Sequence, residues 1–410
     1  MAGSTGAEWP VMSIAETRKV LTAPGMPFEM ETLTIRGIPT RVYKNAPPHL
    51  RAVLDQSRQW EDREILVYEG ERLTYGDHYR AVSALSRVLT ERYGLKKGDR
   101  AAIAMRNFPE WSIAFWAAIA IGAVVTPLNA WGTGDDLSYG ISDSEAKVAV
   151  VDAERLERLR PYLSHLALAG LVAVRTPADQ LGSAEALEAL IGPPSQYKSL
   201  PDTPPPDNGI QPEDDATIFY TSGTTGRPKG ALGTHRNIMT NLINVGYGTY
   251  RAMLRRGEAI PEPDPNAPQR TMLLPVPFFH VTGCHSVLVP TMAAGGRLIL
   301  IEGYRDGFDT LSAARQAVGM PALTPAKINF YSYLRDLMPA ILEHFTIEQT
   351  WHSGMFDFLT RLVYPQLAGA ENTHEPGSFH EKIEPLVRAN ALPDLSVYAR
   401  LHGFCLVRKP

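Results

Sequence analysis

The sequence predicts an α/β fold of layered sheets flanked by helices, and three observations predict it. Short, near-continuous apolar runs at 101–105 (AAIAM), 147–151 (KVAVV) and 171–174 (LVAV) are separated by helical or polar stretches. That is the pattern of strands covered on both faces by helices. From Ile65, the segment ILVYEGERLTYGD reads as two short strands around Glu69 and Gly70, followed by a helix with Val82, Leu85 and Leu89 on one face and Gly94 at its end. The third observation is scale: 410 residues, 44% hydrophobic and 20% charged, suffice for about two to three domains or subdomains and exclude a chain disordered throughout.

Taken in order, the first twenty residues (MAGSTGAEWPVMSIAETRKV) lack a basic start followed by an apolar core and carry Glu8 and Glu16, so they read as a leading arm. The stretch Trp111 to Asn129 is uncharged and about as long as a membrane span. Pro109 opens it as a helix, however, its second half (AVVTPLN) is β-branched and ends in Pro, and basic flanking anchors are missing. It therefore reads as a buried helix passing through Gly122 into a core strand, with no transmembrane segment. Glycine and proline, 33 of each, cluster in a Pro-rich bridge from Gly192 and a second loop from Pro261.

Charge narrows the partners. Forty Lys and Arg against 44 Asp and Glu give a net charge of −4, so no bulk positive field gathers nucleic acid or anionic lipid. Any nucleotide must be held by a local site. Two cysteines, Cys284 and Cys405, build no disulfide framework and show no metal-ligand spacing, which suits a reducing compartment. The cytoplasm is the expected location, and the final Val407-Arg408-Lys409-Pro410 is not a peroxisomal Ser-Lys-Leu signal.

The strongest local signal follows the Pro-rich bridge. A strand-like run, Thr217 to Tyr220, leads into Thr221 to Gly230 (TSGTTGRPKG), and the helix beyond carries Ile238, Leu242 and Val245 on one face. The loop is expected between a strand and a helix. Gly223, Gly226 and Gly230 would let the backbone turn freely and bring N–H groups to an anion. Thr221, Ser222, Thr224 and Thr225 add hydroxyl donors and Lys229 a compact positive charge, with Pro228 stiffening the chain before it. Phosphate binding is the reading. The spacing is not that of a Walker A loop, since the fifth residue after Gly223 is Pro228. Further on, His280 taken alone reads as a core histidine, Cys284 and His285 read as packing, and the three lack the spacing of a metal site.

The string YTSGTTGRPKG, with Thr234, His235 and Asn237 after it, resembles the phosphate-loop signature of the adenylate-forming superfamily: acyl-CoA synthetases, firefly luciferase and peptide-synthetase adenylation domains. Leu73-Thr74-Tyr75, Ala117 to Asn129, Ser142 to Val151 and Pro277 to Gly283 resemble further elements of that family, in the same order. The resemblance covers about Val42 to Ile301. It implies the N-terminal part of the adenylate-forming fold, incomplete, and a reaction in which a carboxylate attacks the α-phosphate of ATP, giving an acyl-adenylate and pyrophosphate. In the acid–CoA ligases a thiol of CoA, the co-substrate, then displaces AMP. By resemblance Thr221, Ser222, Gly223, Thr224, Thr225, Gly226 and Lys229 bind ATP, Lys229 and Thr225 act in catalysis, and Thr225 meets Mg²⁺. Phe279 and His280 would line the acyl pocket. Peptide-synthetase domains usually carry an aspartate in that element, so Phe279-His280 points to a small carboxylic acid without an α-amino group, such as a fatty, short-chain or aryl acid.

After Ile301 the resemblance stops. No Y-G-x-T-E or T-G-D element follows, Thr133-Gly134-Asp135 comes far too early, and the hinge and late lysine of the family's mobile domain have no counterpart. Residues 1–301 are thus expected to be the front of an adenylation domain and 302–410 a partly helical tail, with Phe330, Leu334, Leu337, Ile341 and Phe345 as a helical stripe. His352, His374 and His380 lack close metal-ligand spacing. Two readings follow: an AMP-forming acid–CoA ligase impaired in this chain, or a non-catalytic truncated remnant, or splice or gene-model product, that binds phosphate or a partner.

Overall fold

Two sheets share one buried helix. The computed structural model describes residues 10–221, 227–260, 267–274 and 276–300, and the backbone of 345–353 and 401–408. The chain divides into two units, Met1–Leu300 and Ile301–Pro410.

The leading arm begins with α1 (Ile14–Leu21), opened by a capping box in which the Ser13 hydroxyl accepts from the Glu16 N–H and the Glu16 carboxylate accepts from the Ser13 N–H. A hairpin follows, β1 (Met30–Ile35) and β2 (Ile38–Tyr43), whose two turn residues, Arg36 and Gly37, both have positive φ. That is the turn geometry whose twist matches antiparallel strands. Next come α2 (Leu50–Gln56) and the expected strand pair, β3 (Glu64–Tyr68) and β4 (Glu71–Thr74). Thr74 caps α3 (Tyr75–Arg87), which buries Val82 and Leu85; a π-helical turn carries Leu89, and Gly94, with positive φ, ends the segment.

From there strand and helix alternate: β5 (Arg100–Ala104), α4 (Pro109–Ala120), β6 (Val124–Pro127), α5 (Gly134–Asp143), β7 (Ala146–Asp152), α6 (Ala153–Leu159), β8 (Gly170–Val174), β9 (Glu185–Ala186) and α7 (Leu187–Ile191). The second half of the described unit comprises β10 (Asp215–Thr221), β11 (Lys229–Thr234), α8 (His235–Arg255), β12 (Thr271–Leu274), α9 (Val281–Gly283), α10 (Val289–Ala293) and β13 (Arg297–Leu300). The larger sheet has the order β11-β10-β6-β5-β7-β8-β9, parallel except where β10 meets β11; the smaller has the order β12-β13-β3-β4. Helix α4 packs on β5 and β6 of one sheet and on β3 of the other. Every residue of α4 is buried, including Trp111, Phe115 and Trp116. The uncharged run is therefore a core helix and strand, joined at Gly122 (φ +73). Among the described residues no helix is long and apolar enough to cross a membrane.

The Pro-rich bridge contains one short 3-10 helix, Pro194–Ser199, and is otherwise loop, as its composition predicts, but it is tied down. The buried Arg51 guanidinium donates to the carbonyls of Ala120 (2.9 Å) and Pro205 (2.9 Å), and Arg87 donates to Pro204 (2.7 Å). Such charge-assisted bonds satisfy carbonyls that proline-rich chain cannot pair in a ladder.

In the second unit β14 (Phe345–Ser353) pairs antiparallel with β15 (Leu401–Arg408). Phe345 thus opens a strand, which corrects its placement in a helical stripe; β-branched and aromatic neighbours in FTIEQTW suit a strand. The other stripe residues, Phe330, Leu334, Leu337 and Ile341, lie outside the described residues.

Candidate active site

The apolar run Thr217 to Tyr220 forms β10 because it pairs on both edges, parallel to β6 through Thr217 and Val125 and antiparallel to β11 from Asp215 to Thr221. Its carboxyl end therefore lies at the same edge as the carboxyl ends of β5, β6, β7 and β8. In open α/β sheets that edge is where ligands bind.

The loop expected to bind phosphate does not join a strand to a helix. It is the connection of a β-hairpin, because β11 intervenes and α8 starts only at His235, after a capping box between Thr234 and Asn237. The strand sequence KGALGT escaped the periodicity because it offers almost no side chains to alternate. Gly230 is also reassigned. It sits in the ladder opposite Tyr220 with no positive φ, and a Cβ there would come 2.7 Å from Ile218 Cγ2. Close strand contact, not a left-handed turn, requires glycine. On α8, Ile238 is buried and Leu242 partly so, but Val245 is 47% exposed, so the expected apolar face covers only the first turns.

Thr221 and Lys229 close the hairpin stem as a pair, both exposed, with the Thr221 hydroxyl 3.4 Å from the Lys229 carbonyl. Lys229 forms no ion pair among the described residues. Ser222, Gly223, Thr224, Thr225 and Gly226 lie outside the described residues. No cluster of three His, Cys, Asp or Glu side chains suited to a metal occurs among the described residues.

The second motif is held by a clamp that sequence reasoning missed. Asn107, just past β5, donates from Nδ2 to the Val276 carbonyl (3.1 Å) and accepts at Oδ1 from the Phe278 N–H (2.8 Å). Phe278 stacks on Trp111 of α4 with ring centres 4.9 Å apart. Gly283 lies against Pro277, whose carbonyl would be 2.2 Å from an added Cβ. Phe279 is buried, meets Trp131 edge-on at 5.2 Å and lies beside the His280 ring at 4.9 Å. His280 itself is exposed at the start of α9, which corrects its lone reading as a core histidine. Cys284 and His285 are buried as packing residues; burial pushes the Cys284 thiol up and lowers His285 to about 4. His285 stands edge-on to Phe219 of β10 at 4.9 Å, so one aromatic contact joins the strand leading into the first motif to the turn that follows the second.

Other polar groups serve structure. Arg175, at the end of β8, donates to the carboxylates of Glu71 and buried Glu110 and lies over the rings of Tyr68 and Phe108. A cavity of about 180 Å³ between β2 and the start of α8 is lined by Tyr43, Lys44, Pro212, Arg236 and Met239, among others, and by no residue of either motif. Its two cations are spent on Glu29 and Glu213.

Residues 53–337 match the sequence model of a family described as AMP-binding enzyme. The chain belongs to the AMP-binding enzyme family. The match runs past Ile301, where the motif-by-motif resemblance ended. A feruloyl-CoA synthase from Amycolatopsis sp is 32% identical over 247 residues, 60% of this chain and 42% of that protein. A long-chain-fatty-acid–CoA ligase from Escherichia coli O6:H1 is 26% identical over 66% of this chain and 49% of the relative. The chain thus spans under half the length of these curated relatives. Among solved structures, the anthranilate CoA ligase AuaEII in complex with anthranoyl-AMP superposes with a TM-score of 0.52 at 18% identity, over 65% of this chain and 48% of that one. A long-chain-fatty-acid CoA ligase of Rhodopseudomonas palustris, described as putative, gives 0.50 at 23% over 68% and 64%. These likenesses show the fold of an AMP-binding enzyme.

Proposed function

We propose that this AMP-binding enzyme is an AMP-forming acid–CoA ligase, residues 1–301 supplying the front of its adenylating domain and 302–410 a divergent tail. The observation that carries the reading is Lys229: an exposed ammonium without an ion-pair partner among the described residues, at the mouth of a hairpin on the carboxyl edge of the sheet.

A carboxylate oxygen attacks the α-phosphorus of ATP, the bond to the bridging oxygen breaks, and pyrophosphate leaves with that electron pair. Negative charge grows on phosphate oxygens, and a fixed ammonium beside them lowers the barrier because water is not needed to reorganise around it. Lys229 holds that role, with the hydroxyl of Thr221 as a donor at the opposite strand end. Bound Mg²⁺, which we assign to the loop at Thr225, would supply further charge neutralisation on the phosphates. In the second half-reaction the CoA thiolate attacks the acyl carbon and AMP departs. Phe279 and His280, backed by Trp131, offer an aromatic wall that suits an apolar acid without an α-amino group, as do the named acids of the relatives. Because the elements expected after Ile301 are missing, we expect the reaction to be slow in this chain.

The test is direct detection of acyl-adenylate by mass spectrometry after incubation with ATP, Mg²⁺ and a panel of fatty, short-chain and aryl acids. Acyl-AMP from at least one acid, absent with Lys229→Ala, supports the reading; none from any acid overturns it in favour of a non-catalytic phosphate-binding protein.

A further inference from the structure

Helix α5 grips both strands of the phosphate hairpin. From β10, the Tyr220 hydroxyl donates to Asp143 Oδ2 at 2.6 Å. From the head of β11, the Pro228 carbonyl accepts from the Tyr139 hydroxyl at 3.1 Å, and the Arg227 guanidinium lies over the Tyr139 ring, 4.8 Å from its centre. Tyr139 and Asp143 are four residues apart and so share one helix face, and the two tyrosine rings meet edge-on at 6.1 Å. The helix is itself firmly seated: Leu137 and Ile141 are buried, and Gly140 lies so close to Leu128 that a Cβ would come 2.5 Å from its Cδ2. Burial and then Asp143 raise the Tyr220 phenol, which keeps it a donor.

Both strand ends are exposed or half-exposed, and β11 is an edge strand whose first four residues are all exposed. Such a stem would fray unless anchored. The one carbonyl Tyr139 engages belongs to the residue directly before Lys229. We infer that Tyr139 is a positioning residue for Lys229, holding the Pro228 carbonyl and the Arg227 guanidinium so that the lysine leaves the hairpin stem in a fixed direction, with Tyr220 and Asp143 as the matching anchor on β10. The inference rests on the proposed role of Lys229, but the anchoring itself can be measured without any substrate.

The experiment therefore has two arms on the full chain with Tyr139→Phe and Tyr139→Ala. In the first, limited trypsin digestion without ligand is followed by mass spectrometry at Lys229–Gly230. Tyr139→Ala is expected to speed that cut by about tenfold, since one hydrogen bond and one cation–π contact are lost. Tyr139→Phe, which keeps the ring under Arg227, should fall between. An unchanged rate, or equal acceleration at sites remote from the hairpin, overturns the anchoring whether or not the chain adenylates anything. In the second arm, acid-dependent acyl-adenylate formation should show kcat lowered about tenfold in Tyr139→Ala with KM for ATP changed less than about twofold, because the lysine acts on charge that develops in the transition state. Unchanged kcat alongside faster cleavage would overturn the positioning role. A wild-type chain that forms no adenylate sinks the proposed function and, with it, the positioning role, while the cleavage result still decides the anchor.

Discussion

Helix α4 and the β10–β11 hairpin meet at one sheet and are held there by opposite means. All twelve residues of α4 are buried; Trp111 stacks on Phe115 and on Phe278, and Phe115 meets Trp116 edge-on. The hairpin is buried on one strand only: β10 buries Ala216, Thr217 and Phe219, whereas β11 buries nothing and rests on a backbone ladder, with polar and cation–π anchors reaching the open end of the stem from α5. Burial is thereby concentrated in α4, while the exposed end of the hairpin, to which we assign adenylation, should be alterable without unfolding the protein, and that contrast makes sharp predictions.

The largest expected effect falls in α4. Trp116→Ala removes a fully buried indole and should cost about 3–5 kcal/mol of unfolding free energy, measured by guanidinium titration. Arg175→Met comes next, about 3 kcal/mol, because Glu110 is only 2% exposed and would be left without its cation. Glu110→Gln in the same background should recover part of that loss.

Acid exposes a third difference. His78, His235 and His285 are buried, and burial lowers them from 6.5 to about 3, about 4 and about 4. A histidine depressed in the fold stabilises above its unfolded pKa, and that stability is lost as pH falls from about 6.5 towards the folded value, because the unfolded chain takes up the protons first. Each contributes a slope of up to about 1.4 kcal/mol per pH unit in that window. His285→Phe should flatten the dependence between pH 6.5 and 4 by one proton; an unchanged slope would show that His285 is not held neutral. The smallest effect belongs to the edge strand. Leu232 is 55% exposed, and Leu232→Lys should shift stability by no more than about 0.5 kcal/mol.

Much of the fold was legible in the sequence where burial dictates residue type. Within the runs at 101–105, 147–151 and 171–174, residues 101–104, 148–151 and 172–174 are strand residues buried on both faces, a setting that favours Ala, Val and Ile. The helix from Pro109 and the strand through Thr126 were readable for the same reason. Strand β11 was not, because Gly and Ala fit an edge strand that crosses closely over Ile218 and Thr217 yet carry no periodic signal. Nor were the site's supports. Asn107, Tyr139 and Asp143 are single polar residues whose partners lie 77 to 171 positions away, and no local pattern announces such pairs. The motif residues Thr221, Lys229, Phe279 and His280 were found because they are crowded into two short strings; the geometry adds which of them are exposed and what holds them.

The measurement that tests the account most directly is exchange of labelled pyrophosphate into ATP by the wild-type chain and Lys229→Ala, side by side and with their unfolding curves. We predict carboxylic-acid-dependent exchange in the wild type, reduced by about a hundredfold or more in Lys229→Ala, with unfolding curves that superimpose. Exchange that survives in Lys229→Ala, or a wild type that exchanges nothing with any acid, would contradict the assignment of acyl adenylation to this hairpin.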